Sequence, residues 1–336
     1  SHLLQNDGTG RFVDVTLEKA KELSQAGMVT SATWMDYDGD SRLDLVVVGE
    51  WMPIAVFRNA DGGRFVEVEL RDFEMSHGWW NSVTSADLNG DGRLDLVLGN
   101  LGLNSYIRAS REEPARLYVY DFFETGALKQ VLTFYKHGVS YPLMGRDDFV
   151  KAMPQLRSKY DSYAKFGAAR VEDIFPSDQL DNAMVLEAHR FASSVALNKG
   201  DGTFDVQPLP MEAQFAPVYA TIADDFDGDG HADILLGGNF SGVTPLRGKY
   251  DASYGLLLRG DGTGRFAAVS LEESGLVIEG EVRDMKALRH AGAGRVIVVA
   301  RNNDRLQILQ PRRATARSNT TAARGTNARA YPGTMR

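Results

Sequence analysis

The chain has 336 residues, of which 43% are hydrophobic and 24% charged, and it contains no cysteine. This composition is that of a globular protein, and no apolar run approaches the roughly 20 residues that a membrane-spanning helix needs. The missing cysteines exclude disulfide scaffolds, thiolate zinc sites and cysteine nucleophiles.

Charge is distributed unevenly along the chain. Residues 312–336 carry six arginines and no acidic residue, whereas residues 1–311 carry 31 basic against 45 acidic residues, a net charge of −14. A body this acidic repels phosphate backbones, so we expect no nucleic-acid binding. We expect a folded domain over 1–311 and an arginine-rich tail over 312–336 that is flexible or docked on a partner.

A glycine-rich turn followed by phenylalanine recurs four times. The copies begin at Asn6, Asn59, Asn198 and Arg259 and reach Phe12, Phe65, Phe204 and Phe266. The copies at Asn59, Asn198 and Arg259 follow short apolar segments. Because Gly supplies the positive φ that a tight turn needs, the pattern predicts four β-hairpins.

A nine-residue acidic loop alternates with this turn. It occurs at 36–44, 87–95 and 225–233, and an apolar run of three or four residues follows each copy. From Asp36 to Asp87 is 51 residues, and a four-strand unit repeating at about this length predicts a β-propeller blade. We therefore expect an all-β propeller of four-stranded blades, in which the acidic loop joins the first and second strands and the hairpin joins the third and fourth.

Two further units, at 117–134 and 283–299, keep the strand pattern without the acidic loop. Residues from about 146 to 176 have helical spacing instead, and we expect them to form a helical insertion in the blade of 117–134, before a third strand at 193–198. The chain opens in a third-and-fourth strand pair and ends with a third strand near 306–309. This favours missing upstream blades and hence a fragment of a larger propeller, although a small ring closed by the N-terminal strands stays open.

Carboxylates at positions 1, 3, 5 and 9 of a loop suit one hard cation, and Ca²⁺ takes six to eight oxygens, to which the backbone carbonyl of position 7 can add. An EF-hand is excluded because position 12 is Val47, Leu98 or Leu236 rather than Glu. An acidic turn without metal would leave the carboxylates repelling each other, and Mg²⁺ suits an all-protein cage less well. The three predicted Ca²⁺ sites comprise Asp36, Asp38, Asp40, Arg42 and Asp44; Asp87, Asn89, Asp91, Arg93 and Asp95; and Asp225, Asp227, Asp229, His231 and Asp233.

The acidic loops, the turns and the period resemble the FG-GAP/VCBS repeat family, the calcium-loop propellers of integrin α-subunit heads. The segments 49–53, 99–104, 237–240, 250–255 and 280–284 resemble, more narrowly, bacterial relatives of cartilage acidic protein. The resemblance covers about residues 3–310. It implies the propeller and calcium but not one activity, because the family mixes adhesion, scaffolding and a few enzymes.

The loops at the opposite end of such strands are rich in aromatic and amide side chains, which suits a glycan or protein ligand. The alternative is that the amides close turns and the tryptophans pack between blades. The candidate ligand-face residues are Glu50, Trp51, Trp79, Trp80, Asn100, Asn104, Tyr219, Asn239, Arg301 and Asn302.

No catalytic motif stands out, because the six histidines are scattered and there is no His-Glu-x-x-His, Gly-x-Ser-x-Gly or phosphate loop. We expect a non-enzymatic, calcium-stabilised module for adhesion or ligand recognition. Extracellular calcium modules bind at about 10⁻⁴–10⁻³ M, which favours an extracellular, cell-surface or periplasmic location. Two alternatives are a glycan lyase or hydrolase that uses Glu50, Asp251 or Glu281, and a structural subunit of a surface assembly.

Overall fold

The computed structural model describes residues 1–243, 248–290 and 294–311; the arginine-rich segment 312–336 therefore lies outside the described residues. Most of the regular structure is β, in several antiparallel sheets, as the sequence predicts. The chain opens with a hairpin, strands β1 (Leu4–Asn6) and β2 (Phe12–Asp14), followed by helix α1 (Thr16–Lys19) and a 3-10 turn at Glu22–Gln25.

The first sheet follows the predicted unit. Its four strands are β3 (Met28–Met35), β4 (Asp44–Met52), β5 (Ala55–Ala60) and β6 (Arg64–Val68), and a short strand β7 (Gly78–Trp79) adds to the end of β4. Residues 44–49 of β4 are all buried, because both faces of this sheet are covered.

The second sheet contains a large insertion. Its strands β8 (Ser82–Ala86) and β9 (Asp95–Gly99) are separated by 94 residues from its remaining two strands. Between them lie strands β10 (Ala115–Tyr120), β11 (Lys129–Lys136) and β12 (Val139–Pro142), helices α2 (Arg146–Ala152), α3 (Tyr163–Gly167), α4 (Val171–Ile174) and α5 (Ser177–Asn182), a 3-10 turn at Pro154–Leu156, and strand β13 (Met184–Ala188). The sheet resumes with β14 (Ser194–Asn198) and β15 (Phe204–Pro208).

The strand pairing corrects one prediction. Strand β14 pairs with β9, so it belongs to the second sheet and is not the third strand of the unit at 117–134. That unit forms its own four-stranded inserted sheet, in the order β12-β11-β10-β13, and the helices lie between β12 and β13. The sequence pattern could not reveal this, because the pairing of β9 with β14 depends on contacts across the whole insertion.

After a 3-10 turn at Met211–Gln214, two more sheets complete the described chain. The third sheet comprises β16 (Val218–Asp224), β17 (Asp233–Gly238), β18 (Leu256–Gly260) and β19 (Phe266–Val269). Helix α6 (Leu271–Ser274) leads to the fourth sheet, with strands β20 (Val282–His290), β21 (Gly294–Arg301) and β22 (Gln307–Leu309).

The four main sheets stack in sequence, with their first strands β3, β8, β16 and β20 side by side. Ser31 Oγ accepts from the Val83 backbone N–H at 3.2 Å, and the hydroxyls of Thr84 and Thr221 are 2.7 Å apart. Separate apolar clusters fill the spaces between the first and second, second and third, and third and fourth sheets. The hydrophobic effect of these interfaces therefore holds neighbouring sheets together, since hydrogen bonds run mainly within each sheet.

The inserted sheet is covered on both faces. One face packs against the helices through a cluster that contains only residues of the insertion, among them Phe149 and Phe175. The other face, with Leu117 and Phe134, packs against Trp51 and Leu101 at the ends of β4 and β9. The insertion thus sits at one end of the main sheets, with the helices as its outer layer.

Candidate functional site

The three acidic loops lie at the same end of the stacked sheets. Each joins a first strand to a second strand: β3 to β4, β8 to β9 and β16 to β17. Neighbouring first strands run in the same direction. Ser31 and Thr33 of β3 contact Val83 and Ser85 of β8. Ser82 and Thr84 of β8 contact Val218 and Thr221 of β16. The loops therefore form one acidic end of the molecule.

The first aspartate of each loop closes it by hydrogen bonding to the backbone. In the loop 36–44, Asp36 accepts from the N–H groups of Gly39 and Ser41, both at 2.8 Å. Asp87 and Asp225 accept in the same way from glycines three and five residues ahead. The three loops thus share one backbone conformation, which explains their common spacing.

The last aspartate of each loop is buried and accepts hydrogen bonds from two separate segments of the backbone. Asp44 accepts backbone N–H groups of Tyr37, within the loop, at 3.1 Å and of Asn59, at the end of β5, at 2.7 Å. Asp95 and Asp233 make the equivalent pairs of bonds. Burial raises the pKa of all three carboxyls, although these N–H groups oppose the rise. Each of these buried aspartates thereby links its acidic loop to the hairpin of the same sheet.

Carboxylates converge in two of the loops. Ligand oxygens of Asp36, Asp38 and Asp44 lie within 4.8 Å of one another, and so do those of Asp225, Asp227 and Asp229. The loop 87–95 has no such group of three, and Asn89 donates there to Asp91 at 3.0 Å. The donor sets of the first and third loops fit a hard cation such as Ca²⁺, since they consist of oxygen atoms only.

Arginines accompany the same carboxylates. Arg58 Nε donates to Asp38 at 2.6 Å, and Arg259 Nε donates to Asp227 at 2.9 Å. Both arginines come from the third strand of their sheet and pair with the aspartate at position 3 of the loop. The second loop has Asn89 at this position, and no ion pair forms there among the described residues. The residue at position 7 contacts the aspartate at position 5. In the first two loops the donors are the guanidinium groups of Arg42, to Asp40, and of Arg93, to Asp91. In the third loop the backbone N–H of His231 donates to Asp229.

A cavity of about 370 Å³ opens at the opposite end of the strands. Glu50 lies six residues along β4 from Asp44, roughly 20 Å at the rise of a strand. Tyr219 lies at the start of β16, and Phe240 follows the end of β17. The cavity is lined by Glu50, Trp79, Asn81, Leu101, Ile107, Leu143, Tyr219, Phe240, Val243 and Tyr250.

Three of the ten predicted ligand-face residues line this cavity: Glu50, Trp79 and Tyr219. Trp51 is buried edge-on against Trp79, with ring centroids 5.1 Å apart. Trp80 is fully buried between the first and second sheets and donates its indole N–H to the Ser76 carbonyl at 2.8 Å. Both were predicted to face a ligand and instead support the structure beneath it.

The predicted amides mostly close turns. Asn100 is fully buried, and Asn239 is buried at φ 80° with its side chain bonded to Ser253 and Gly280. The exposed Asn104 donates to the Phe215 carbonyl at 3.0 Å. The side-chain bonds of all three are made to backbone atoms, as the turn-closing alternative expects.

Of the last two predicted residues, Asn302 belongs to a polar cluster beside the cavity. Asn302 donates to Glu281 at 3.0 Å, and Glu281 also accepts from the Ser241 N–H at 2.8 Å and from Arg283. The Arg283 guanidinium lies 4.4 Å from the ring centroid of Tyr219. Arg301 instead bonds the carbonyls of Glu279 and Arg305 and pairs with Asp304, which fixes the turn after β21.

The structure adds residues that were not among the predicted set. Phe240 and Tyr250 form an isolated two-residue bridge and both face the cavity. Ile107 and Leu143 come from the insertion, and Leu101 closely follows β9. The sequence could have indicated Phe240, since it directly follows the predicted residue Asn239 at the end of a strand. The cavity residues of the insertion could be identified only from the folded structure.

Part of the chain matches a known family. Residues 36–98, from the first acidic loop through most of β9, match an FG-GAP-like repeat. No curated protein matches the chain significantly. Within the described residues, no helix has the length and apolar character to cross a membrane.

Proposed function

We propose that this chain is a calcium-stabilised, non-enzymatic β-propeller module that binds a glycan or protein ligand in adhesion or recognition outside the cytoplasm. One observation carries the proposal: the acidic loops and the open cavity occupy opposite ends of the same strands. The FG-GAP-like repeat and the stacking of four sheets through their first strands support a propeller arrangement.

Calcium would have a structural role at the acidic end. Asp36, Asp38 and Asp44 would hold one ion, and Asp225, Asp227 and Asp229 a second, while the loop 87–95 would bind more weakly because Asn89 replaces a carboxylate. When bound, the ion supplies the charge that offsets these clustered carboxylates. The protein's own part is to fix the loops through the buried aspartates and their backbone bonds.

The cavity favours binding over glycan hydrolysis. Most glycosidases place two carboxylates on either side of the scissile bond. Of the described residues that line this cavity, only Glu50 carries a carboxylate, and Glu281 nearby is engaged with Arg283. Hydrolysis of a glycan that is lost in Glu50→Gln would reverse this preference.

Position 3 of the loops allows a matched test of calcium binding. We expect Asp38→Asn and Asp227→Asn, which copy the natural Asn89, each to lower the calcium bound at 1 mM free ion by about one equivalent. Asn89→Asp should raise the calcium affinity of the second loop. Equilibrium dialysis with metal analysis measures the number bound.

The fully exposed Asp61, at the same end, provides the control variant Asp61→Asn, since its carboxylate lies outside the loops and is 3.8 Å from the Arg42 guanidinium. This variant should bind as much calcium as the wild type. Wild-type protein without bound calcium at 1 mM would contradict the proposal.

A further inference from the structure

Four of the ten residues that line the cavity are aromatic. Trp79, Tyr219, Phe240 and Tyr250 come from four separate segments of the chain and meet around one space. Tyr219 and Phe240 have ring centroids 6.4 Å apart. Aromatic faces carry a negative quadrupole and attract organic cations, most strongly where water is displaced.

The neighbouring Arg283 shows that these rings accept a cation. Its guanidinium lies 4.4 Å from the ring centroid of Tyr219 and 5.8 Å from that of Phe240. Its charge is already matched by Glu281, with which it forms an ion pair. Arg283 therefore does not neutralise the second carboxylate at this site, that of Glu50.

That carboxylate is Glu50. In the part of the chain that the structure describes, no hydrogen bond or ion pair engages its side chain, whereas Glu281 has three partners. The side chain reaches solvent, yet the protein around it displaces enough water to raise the pKa of its carboxyl. An unpaired carboxylate beside aromatic rings favours a positively charged ligand. The net charge of −14 on residues 1–311 would also attract such a ligand.

We propose that this cavity binds an organic cation, an alkylammonium or guanidinium group, with Glu50 as counter-ion and the four aromatic side chains as walls. Its volume of about 370 Å³ is at the small end of ligand pockets, so one cationic head group or one basic side chain fits it better than an extended chain. The inference rests on the proposed binding function and names the chemistry of its ligand.

The test compares choline with its neutral isostere 3,3-dimethyl-1-butanol, which has the same shape without the charge. Titrations are followed by the NMR signal of the Trp79 indole N–H, a buried group without a hydrogen-bond partner among the described residues. We expect a saturable shift with choline and at least tenfold weaker binding of the isostere. Nα-acetyl-lysine and Nα-acetyl-arginine methylamides, in parallel, show whether a free cation or a basic side chain is preferred.

Glu50→Gln should weaken choline binding at least fivefold, whereas Asp251→Asn should change it less than twofold, because the exposed Asp251 is outside the lining. Tyr250→Leu should weaken binding and Tyr250→Phe should preserve it. Equal binding of the isostere, no effect of Glu50→Gln, or no saturable shift for any of the cations would overturn the inference. Melting curves with and without calcium on the same samples test the calcium-stabilised module independently. A calcium-dependent melting midpoint without cation binding would overturn this inference alone.

Discussion

Asn100 illustrates how single buried amides shape the cavity end of the molecule. Its Oδ1 accepts from the backbone N–H groups of Trp79 at 3.2 Å and Leu101 at 2.8 Å, and its Nδ2 donates to the Arg190 carbonyl at 3.0 Å. These bonds join β7, the end of β9 and the return of the insertion. Because Trp79 and Leu101 both line the cavity, the amide positions two of its walls.

We predict that Asn100→Ala destabilises the fold by about 2–4 kcal/mol, since it strands buried backbone groups without partners. The matched control is Asn104→Ala, which removes an exposed amide with one bond and should cost less than about 1 kcal/mol. Urea denaturation of both variants measures the free energies of unfolding. Equal losses for the two would contradict the assigned role of Asn100.

Residue type alone could not separate ligand contacts from structural roles. Trp79 and Trp80 are adjacent, and an extended chain points them to opposite sides. The sequence predicted both on the ligand face, yet only Trp79 lines the cavity while Trp80 fills the core. Which side faces solvent depends on the sheet stacked against them, and the local sequence does not contain that information.

The helices of the insertion form an element with its own core. Their apolar cluster includes only residues of the insertion, and Phe149 within it is 1% exposed. Local patterns predicted the acidic loops, the hairpins and the helical segment, because each rests on contacts between near neighbours in sequence. The strands at 117–134 were also predicted, but β14 was wrongly assigned to their sheet because its pairing with β9 spans 94 residues.

Phe149→Ala should therefore loosen the insertion more than the main sheets. We expect a loss of about 3–5 kcal/mol of local stability, from lost burial and the cavity left behind. Hydrogen exchange should become faster over 146–182 and stay near wild type in β4 and β17. Leu128→Ala is the control, since this side chain of the insertion is 70% exposed, and uniform acceleration across all sheets would contradict a separate core.

The two ends of the stacked sheets differ in chemistry. One end gathers carboxylates at the loops, and the other presents the aromatic cavity with Glu50. The sequence period predicted the sheets and their loops. The insertion residues Ile107 and Leu143, which line the cavity, lie outside the helical segment that the sequence predicted.

The melting midpoint with and without calcium tests most directly whether metal at the acidic end stabilises the fold. At a hundredfold excess over the dissociation constant, each filled site adds about 2.7 kcal/mol, so two sites should raise the midpoint by roughly 10 °C over that in chelator. Magnesium at the same concentration controls for ionic strength and should have little effect, and Asp229→Ala should remove about half of the calcium-dependent rise. An identical midpoint in chelator and in 10 mM calcium would contradict the account.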